Sequence, residues 1–250
     1  MTTVHVDAEQ SAGTFTVIAD PDTSGFHIQV PDVTLEVSQA QLTSITQAAM
    51  ALLGVTTGVA VKPAFFTDSN GLPRTGVTLA QTFPALMSAA LGAATYGVFA
   101  VAGENSSDLL ARQAAVRAYK PTIVFLDSMI NDIAAQTNPD LYESYMRTMI
   151  TNHLIDGAKV VLMSSIFWAE SVFLERQRDI YMPIWRKLAK MPGVLPADCY
   201  TQMAAVTMQK SRADFDALNN SGALANDVQH WSAAGNAKRV LWCKDALGIV

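Results

Sequence analysis

Val59-Ala60-Val61-Lys62-Pro63-Ala64-Phe65-Phe66-Thr67-Asp68-Ser69-Asn70-Gly71 decides the fold of this 250-residue chain. A short apolar run rich in β-branched and aromatic residues stops in a cluster of turn formers. This predicts a buried strand, residues 59–66, whose carboxyl end opens into a loop before a helix. Further compact apolar runs follow at 96–101, 122–126 and 159–163, with a weaker one at 194–195, each bounded by polar residues or glycine. Between them apolar residues recur at spacings of three and four, predicting helices at 79–91, 107–119, 139–153, 170–190, 197–210 and 232–247. Ser106 or Ser107 ahead of Asp108, and Asn138 ahead of Pro139, suit helix starts. Strand and helix in alternation, joined by right-handed crossovers, predict an α/β domain in which a parallel, doubly wound sheet carries helices on both faces.

The first 58 residues follow another rhythm. Alternation at 14–18, 26–30 and 33–37, punctuated by Pro21, Gly25 and Pro31, predicts a small β-rich N-terminal appendage. A polar-faced helical segment at 39–53 leads from it into the first sheet strand. The expected organisation is an appendage over 1–58 and an α/β domain over 59–250.

Half of the residues are hydrophobic and only 16% are charged, so the chain can bury a sizeable core without staples. A formal net charge of -5, with no basic cluster interleaved with aromatics, argues against nucleic acid as a partner. Cys199 and Cys243 have neither Cys-x-x-Cys spacing nor nearby histidines, so we expect two buried thiols, no disulfide framework and no metal. The charge-free stretches 37–61 and 76–103 are broken by polar side chains or by Pro84, Gly92 and Gly97, so no membrane span is expected. Met1 to Gln10 lack a basic start followed by an apolar run, so no signal peptide is visible, and a cytoplasmic or virion-associated location is the expectation.

Dinucleotide and phosphate loops, His-Glu-x-x-His and Gly-x-Ser-x-Gly are all missing, so no cofactor is expected. Chemistry-bearing residues stand instead at the ends of successive strands, where a parallel sheet gathers side chains into one crevice. Ser69 follows the first strand, and a turn entering a helix leaves backbone donors open beside its hydroxyl. Gly103 follows the second strand, where a glycine lets backbone approach a ligand. Asn131, in Asp127-Ser128-Met129-Ile130-Asn131-Asp132 after the third, offers an amide to a developing oxyanion. Near the far end, Asp227 stands three positions before His230, a spacing that lets a carboxylate orient an imidazole while its other nitrogen accepts a proton. Plainer readings exist for each: a turn at 68–71, a loop glycine, a helix cap at Asn131-Asp132 and a surface Asp-His pair. Ser128, also preceded by aspartate, competes with Ser69 as nucleophile.

In this order the four stretches resemble the signature blocks of the SGNH/GDSL hydrolase family: the Gly-Asp-Ser, Gly, Gly-x-Asn-Asp and Asp-x-x-His blocks. The resemblance covers residues 59–248 and includes Leu109-Leu110-Ala111-Arg112 and the Ser232 to Gly235 helix start. It implies a three-layer α/β/α flavodoxin-like fold and metal-free ester hydrolysis. By it Ser69 would be the nucleophile, His230 the base and acid, and Asp227 the orienting carboxylate. An oxyanion hole would form from the N–H groups of Ser69 and Gly103 and the side chain of Asn131. It also sets Ser69 above Ser128, because only that choice leaves Asn131 a role and keeps the order of the blocks.

Two positions depart from the family pattern. Thr67 and Met129 each stand where glycine is usual, so Thr67 is expected to restrict the turn and Met129 to project an apolar side chain near the oxyanion hole. The expected substrate is a small acyl ester, first of all an O-acetyl group on a glycan. A lipase or thioesterase with an acyl channel lined by Phe167, Trp168, Phe173 and Trp231 is the enzymatic alternative, although these aromatics serve equally as core. A catalytically degenerate glycan-binding or structural module is the other. The N-terminal appendage resembles arrangements in esterase modules of bacteriophage tail proteins, which implies binding, homo-oligomer formation or virion assembly for residues 1–58.

Overall fold

The structure, a computed structural model, describes residues 16–19, 26–29, 61–166, 171–207 and 230–249. The chain divides into two compact units, Met1–Val59 and Ala60–Val250. In the first, β1 (Thr16–Ala19) and β2 (Phe26–Gln29) pair antiparallel, Thr16 opposite Gln29 and Ala19 opposite Phe26. The strand expected at 33–37 and the helix at 39–53 lie outside the described residues.

In the second unit β3 (Pro63–Thr67), β4 (Gly97–Ala100), β5 (Ile123–Leu126), β6 (Lys159–Met163) and β7 (Val194–Ala197) form one parallel sheet in the order β4-β3-β5-β6-β7. The chain leaves β3 toward β4 and then crosses to β5 on the other side. This topological switch point is where ligands of open α/β sheets bind. Every residue of β3 and β5 is buried, which explains why they read as unbroken apolar runs rather than alternating ones.

Helices cover both faces. On one, α2 (Ser106–Ala118) packs on α4 (Pro139–Ile155), which also meets α6 (Met182–Leu188). On the other, α8 (Ala233–Leu247) packs on α1 (Phe83–Ala90) and α7 (Cys199–Thr207). Successive side chains of β3 serve the two layers, as strand alternation requires. Phe65 stacks on Phe125 at 4.9 Å and meets the edge of Phe83, while Phe66 meets the edge of His153 on α4. Cys199 and Cys243 are buried free thiols, and no helix among the described residues is long and apolar enough to cross a membrane.

Three expectations need correction. The helix expected over 79–91 is a 3-10 turn, Leu79–Gln81, followed by α1, with Thr82 extended between them. Pro84 has no N–H and its ring would collide with the carbonyl four residues back, so the helix restarts with Pro84 in its first turn. The single helix expected over 170–190 is α5 (Ser171–Arg176), a π turn (Gln177–Tyr181) and α6. Pro183 falls in the first turn of α6, where its missing donor costs least, and the widened turn ahead of it absorbs the break. Residues 130–135, where no helix was expected, form the short helix α3 (Ile130–Ala135), which stops at Gln136 in the left-handed conformation (φ 55°).

His153 is fully buried on α4, and neither ring nitrogen finds a hydrogen-bond partner among the described residues. Burial pushes its pKa down from 6.5 to about 4; the Asp156 carboxylate opposes this and Arg117 adds to it. Because the folded state resists the proton that the unfolded chain accepts, stability is full above pH 6.5 and is lost as pH falls toward 4. We expect the stability gap between wild type and His153→Leu to shift in the variant's favour by about 2 kcal/mol at pH 5 and about 3 kcal/mol at pH 4, relative to pH 8. Urea unfolding of both proteins across that range measures it, and parallel pH profiles would refute it.

Candidate active site

The carboxyl end of β3 passes through Asp68 into a 3-10 turn, Ser69–Gly71. Asp68 caps the turn, its Oδ1 accepting from the Asn70 N–H at 2.8 Å. As the first residue of a helical turn, Ser69 has no partner for its N–H within that turn. A Cβ on Gly71 would lie 2.2 Å from Thr67 Oγ1 and 2.9 Å from Ala100 Cβ, so the chain bends back where only glycine fits. Thr67 does not restrict the turn as expected. It is the last residue of β3, buried and extended, where a β-branched side chain is at home.

Ser69 Oγ lies 3.0 Å from His230 Nε2, across 161 positions of sequence. The histidine precedes α8, whose first turn is capped by Ser232 Oγ accepting from Gly235 N–H. The next residue ties this loop to the Ser69 turn: Trp231 N–H donates to Asn70 Oδ1 at 3.3 Å. Ser128 is buried and donates its hydroxyl to Asp132, which leaves Ser69 as the serine facing an imidazole. Asp227, Phe167 and Trp168 lie outside the described residues.

Asn131 lies in the first turn of α3, not in a loop, and its Nδ2 donates to the carbonyl oxygen of Glu104 at 2.8 Å. That bond joins the loop after β4 to the short helix after β5. Gly103, one residue earlier, is exposed and left-handed (φ 80°), a conformation that a side chain would strain. The Glu104 carboxylate pairs with Arg112, which also donates to the Phe99 carbonyl at 2.9 Å and so fixes the loop to the sheet edge. Met129 does not project into open space but belongs to the buried core cluster, with its sulfur 4.0 Å from the amide of Gln177.

Beneath the turn lies an ion pair that the sequence reading missed. Arg239 and Asp127 are both fully buried, 2.7 Å apart, and Arg239 also donates to the Asn70 carbonyl at 3.3 Å. Its guanidinium lies over the rings of Phe83 and Trp231. Burial raises the Asp127 pKa, opposed by Arg239. Burial also carries Asp68 up to about 7; the Asp127 charge adds to this, and the Asn70 N–H and Arg239 oppose it. Asp132 is raised by burial against hydrogen bonds from Ser106 and Ser128. A signal for Arg239 existed: Asn236, Arg239, Val240 and Cys243 form the buried stripe of α8 at helical spacing, and one member is charged.

Ser69 and His230 open onto a cleft of about 280 Å³ walled by Leu72, Pro73, Arg74, Thr75 and Ala102. Arg74 donates to the carbonyl oxygen of Ser69 at 2.5 Å. Trp231 is not in this wall; it is buried against Trp242. Among the described residues no group of three or more His, Cys, Asp and Glu side chains is placed to hold a metal ion.

Solved structures share this architecture. Axe2, an acetylxylan esterase from Geobacillus stearothermophilus, superimposes with a TM-score of 0.61 at 22% identity over 77% of this chain and 96% of that one. A putative lipolytic protein of the G-D-S-L family from Desulfitobacterium hafniense does so with a TM-score of 0.59 at 16% identity, covering 74% and 99%. At such identities the likeness speaks for the three-layer fold. No curated protein sequence matches the chain. The model of the GDSL-like lipase/acylhydrolase family matches residues 56–238, nearly three quarters of the sequence and the whole stretch from β3 to the middle of α8. The chain therefore belongs to the GDSL-like lipase/acylhydrolase family and is a carboxylic ester hydrolase.

Proposed function

We propose that this esterase cleaves small acyl esters through an acyl-enzyme on Ser69, with O-acetyl groups on a carbohydrate as the substrate class. The observation that carries the reading is the 3.0 Å contact between Ser69 Oγ and His230 Nε2 at the switch point of the sheet. In the first step His230 Nε2 takes the serine proton while Oγ bonds to the ester carbonyl carbon. The carbonyl oxygen becomes an oxyanion, held by the N–H groups of Ser69 and Gly103 and by Asn131 Nδ2, each such donor contributing about 3 kcal/mol. Asn131 spends one amide hydrogen on Glu104 and keeps a second for this role. The C–O bond to the alcohol then breaks, and His230 returns the proton to the leaving oxygen. Water, deprotonated by the same imidazole, releases the carboxylic acid and restores Ser69. Asp227, three residues before His230, is assigned to orient the imidazole through Nδ1.

A cleft of about 280 Å³ suits a short acyl group, and an acetylxylan esterase has the same fold. With Trp231 buried in the core, one of the aromatics that a long acyl channel would need is already committed to packing. The same reading keeps residues 1–58 as a separate binding or assembly unit.

The test combines labelling with a fluorophosphonate and a series of p-nitrophenyl esters, run beside acetate release from acetylated xylan. We expect covalent labelling on the peptide bearing Ser69, acetate release from the glycan, and turnover that falls on the order of tenfold or more from acetate to octanoate. Preference for octanoate would establish a lipase or thioesterase instead. Absence of labelling and of turnover on every ester would establish a non-catalytic module.

A further inference from the structure

We propose that Asn70 is a positioning residue that sets the approach of His230 to Ser69, an inference that rests on the assignment of these two as base and nucleophile. Nothing in the chemistry of ester cleavage calls for an amide here, yet the side chain is buried directly behind the nucleophile. Asn70 is hydrogen-bonded to two residues far along the chain and to one beside its own turn. Its Oδ1 accepts from the N–H of Trp231, the residue after His230. The Asn70 N–H donates to Asp68 Oδ1, and the Asn70 carbonyl accepts from Arg239 Nη1 on α8. Arg239 is in turn held by Asp127 at the end of β5.

The consequence is mechanical. The loop bearing His230 reaches the sheet only from the far end of the sequence, so the 3.0 Å contact depends on something that fixes that loop against the nucleophile turn. Asn70 and Ser69 are adjacent, as are Trp231 and His230. The bond from Trp231 N–H to Asn70 Oδ1 therefore fixes the two reacting side chains through their immediate neighbours. Without Oδ1 the Trp231 N–H would lose this acceptor in a buried setting, and the loop would shift in response. Misplacement on the order of 1 Å between nucleophile and base costs roughly a hundredfold in rate. Asn70 does not touch the ester, so the loss falls on the chemical step rather than on binding.

The experiment is a double-mutant cycle on p-nitrophenyl acetate turnover. Asn70→Ala is expected to lower kcat ten- to hundredfold with KM within twofold. In a His230→Ala background the same substitution should change the residual rate less than twofold, because the positioned base is already gone. A residue with a merely structural role would slow both backgrounds equally, and that outcome overturns the proposal, as does an Asn70→Ala kcat within twofold of wild type. Asn70→Leu, similar in volume and without Oδ1, gives the same readout if the alanine variant does not fold. Retained turnover in His230→Ala itself would instead show that the base is misassigned, a failure of the underlying reading that the cycle separates from failure of the positioning role.

Discussion

Replacing Ser69 with alanine is expected to lower kcat for p-nitrophenyl acetate by roughly 10⁴- to 10⁶-fold, with KM little changed, and to abolish fluorophosphonate labelling. The magnitude follows from what the substitution leaves behind. In the proposed mechanism the backbone donor of residue 69, the Gly103 N–H and Asn131 all survive, so the variant would still bind a developing oxyanion. The covalent route is gone, and only attack by water remains. The loss should fall on the chemical step, because the cleft wall of Leu72, Pro73, Thr75 and Ala102 is untouched. Ser128→Ala is the control, since that hydroxyl is buried on Asp132 and faces no imidazole; we expect its kcat within about threefold of wild type. Residual turnover above a tenth of wild type in Ser69→Ala would place the nucleophile elsewhere.

The second large effect is on stability. Arg239→Met removes the cation from a pair in which both side chains are fully buried, and leaves Asp127 as a carboxylate without its partner beside the already crowded Asp68. Breaking one side of such a pair costs about 3 to 5 kcal/mol, whereas replacing both members with apolar groups is often neutral. For a chain of this size that cost lowers Tm by roughly 10–15 °C. We expect the double variant Arg239→Met/Asp127→Val to recover at least half of the drop, because it leaves no unpaired charge. Differential scanning calorimetry at pH 7.5 decides it. A single variant within 3 °C of wild type, or a double variant no better than the single, would show that the pair is not what holds this region.

Much of the fold was legible because a strand buried on both faces leaves an unmistakable run of apolar residues. Phe65, Phe66, Val124, Phe125, Val160 and Val161 are such residues, and all are fully buried. Ser69 was legible for a related reason, and His230 by the aspartate three positions before it and its place among the family blocks. A parallel sheet brings strand ends together, so motifs following successive strands share an edge whatever their separation in sequence. What escaped was set by tertiary context. Six residues of α3 are too few for a periodic signal to emerge from the neighbouring loop. Thr67 was judged as a turn residue, but the strand extends one position further than its apolar run and includes it. Met129 was placed by its neighbours in sequence, whereas the core supplies it with a better environment. The pairing of Arg239 with Asp127 could be suspected from the stripe on α8, yet its partner lies 112 positions away and no local pattern names it.

Thr67 Oγ1 occupies the volume that a methyl group on residue 71 would need, and Ala100 closes the other side. Positions 67 and 71 therefore draw on a single pocket large enough for one side chain. A smaller residue at 67 would relieve only half of the constraint, because the approach to Ala100 Cβ still presses on any side chain at 71.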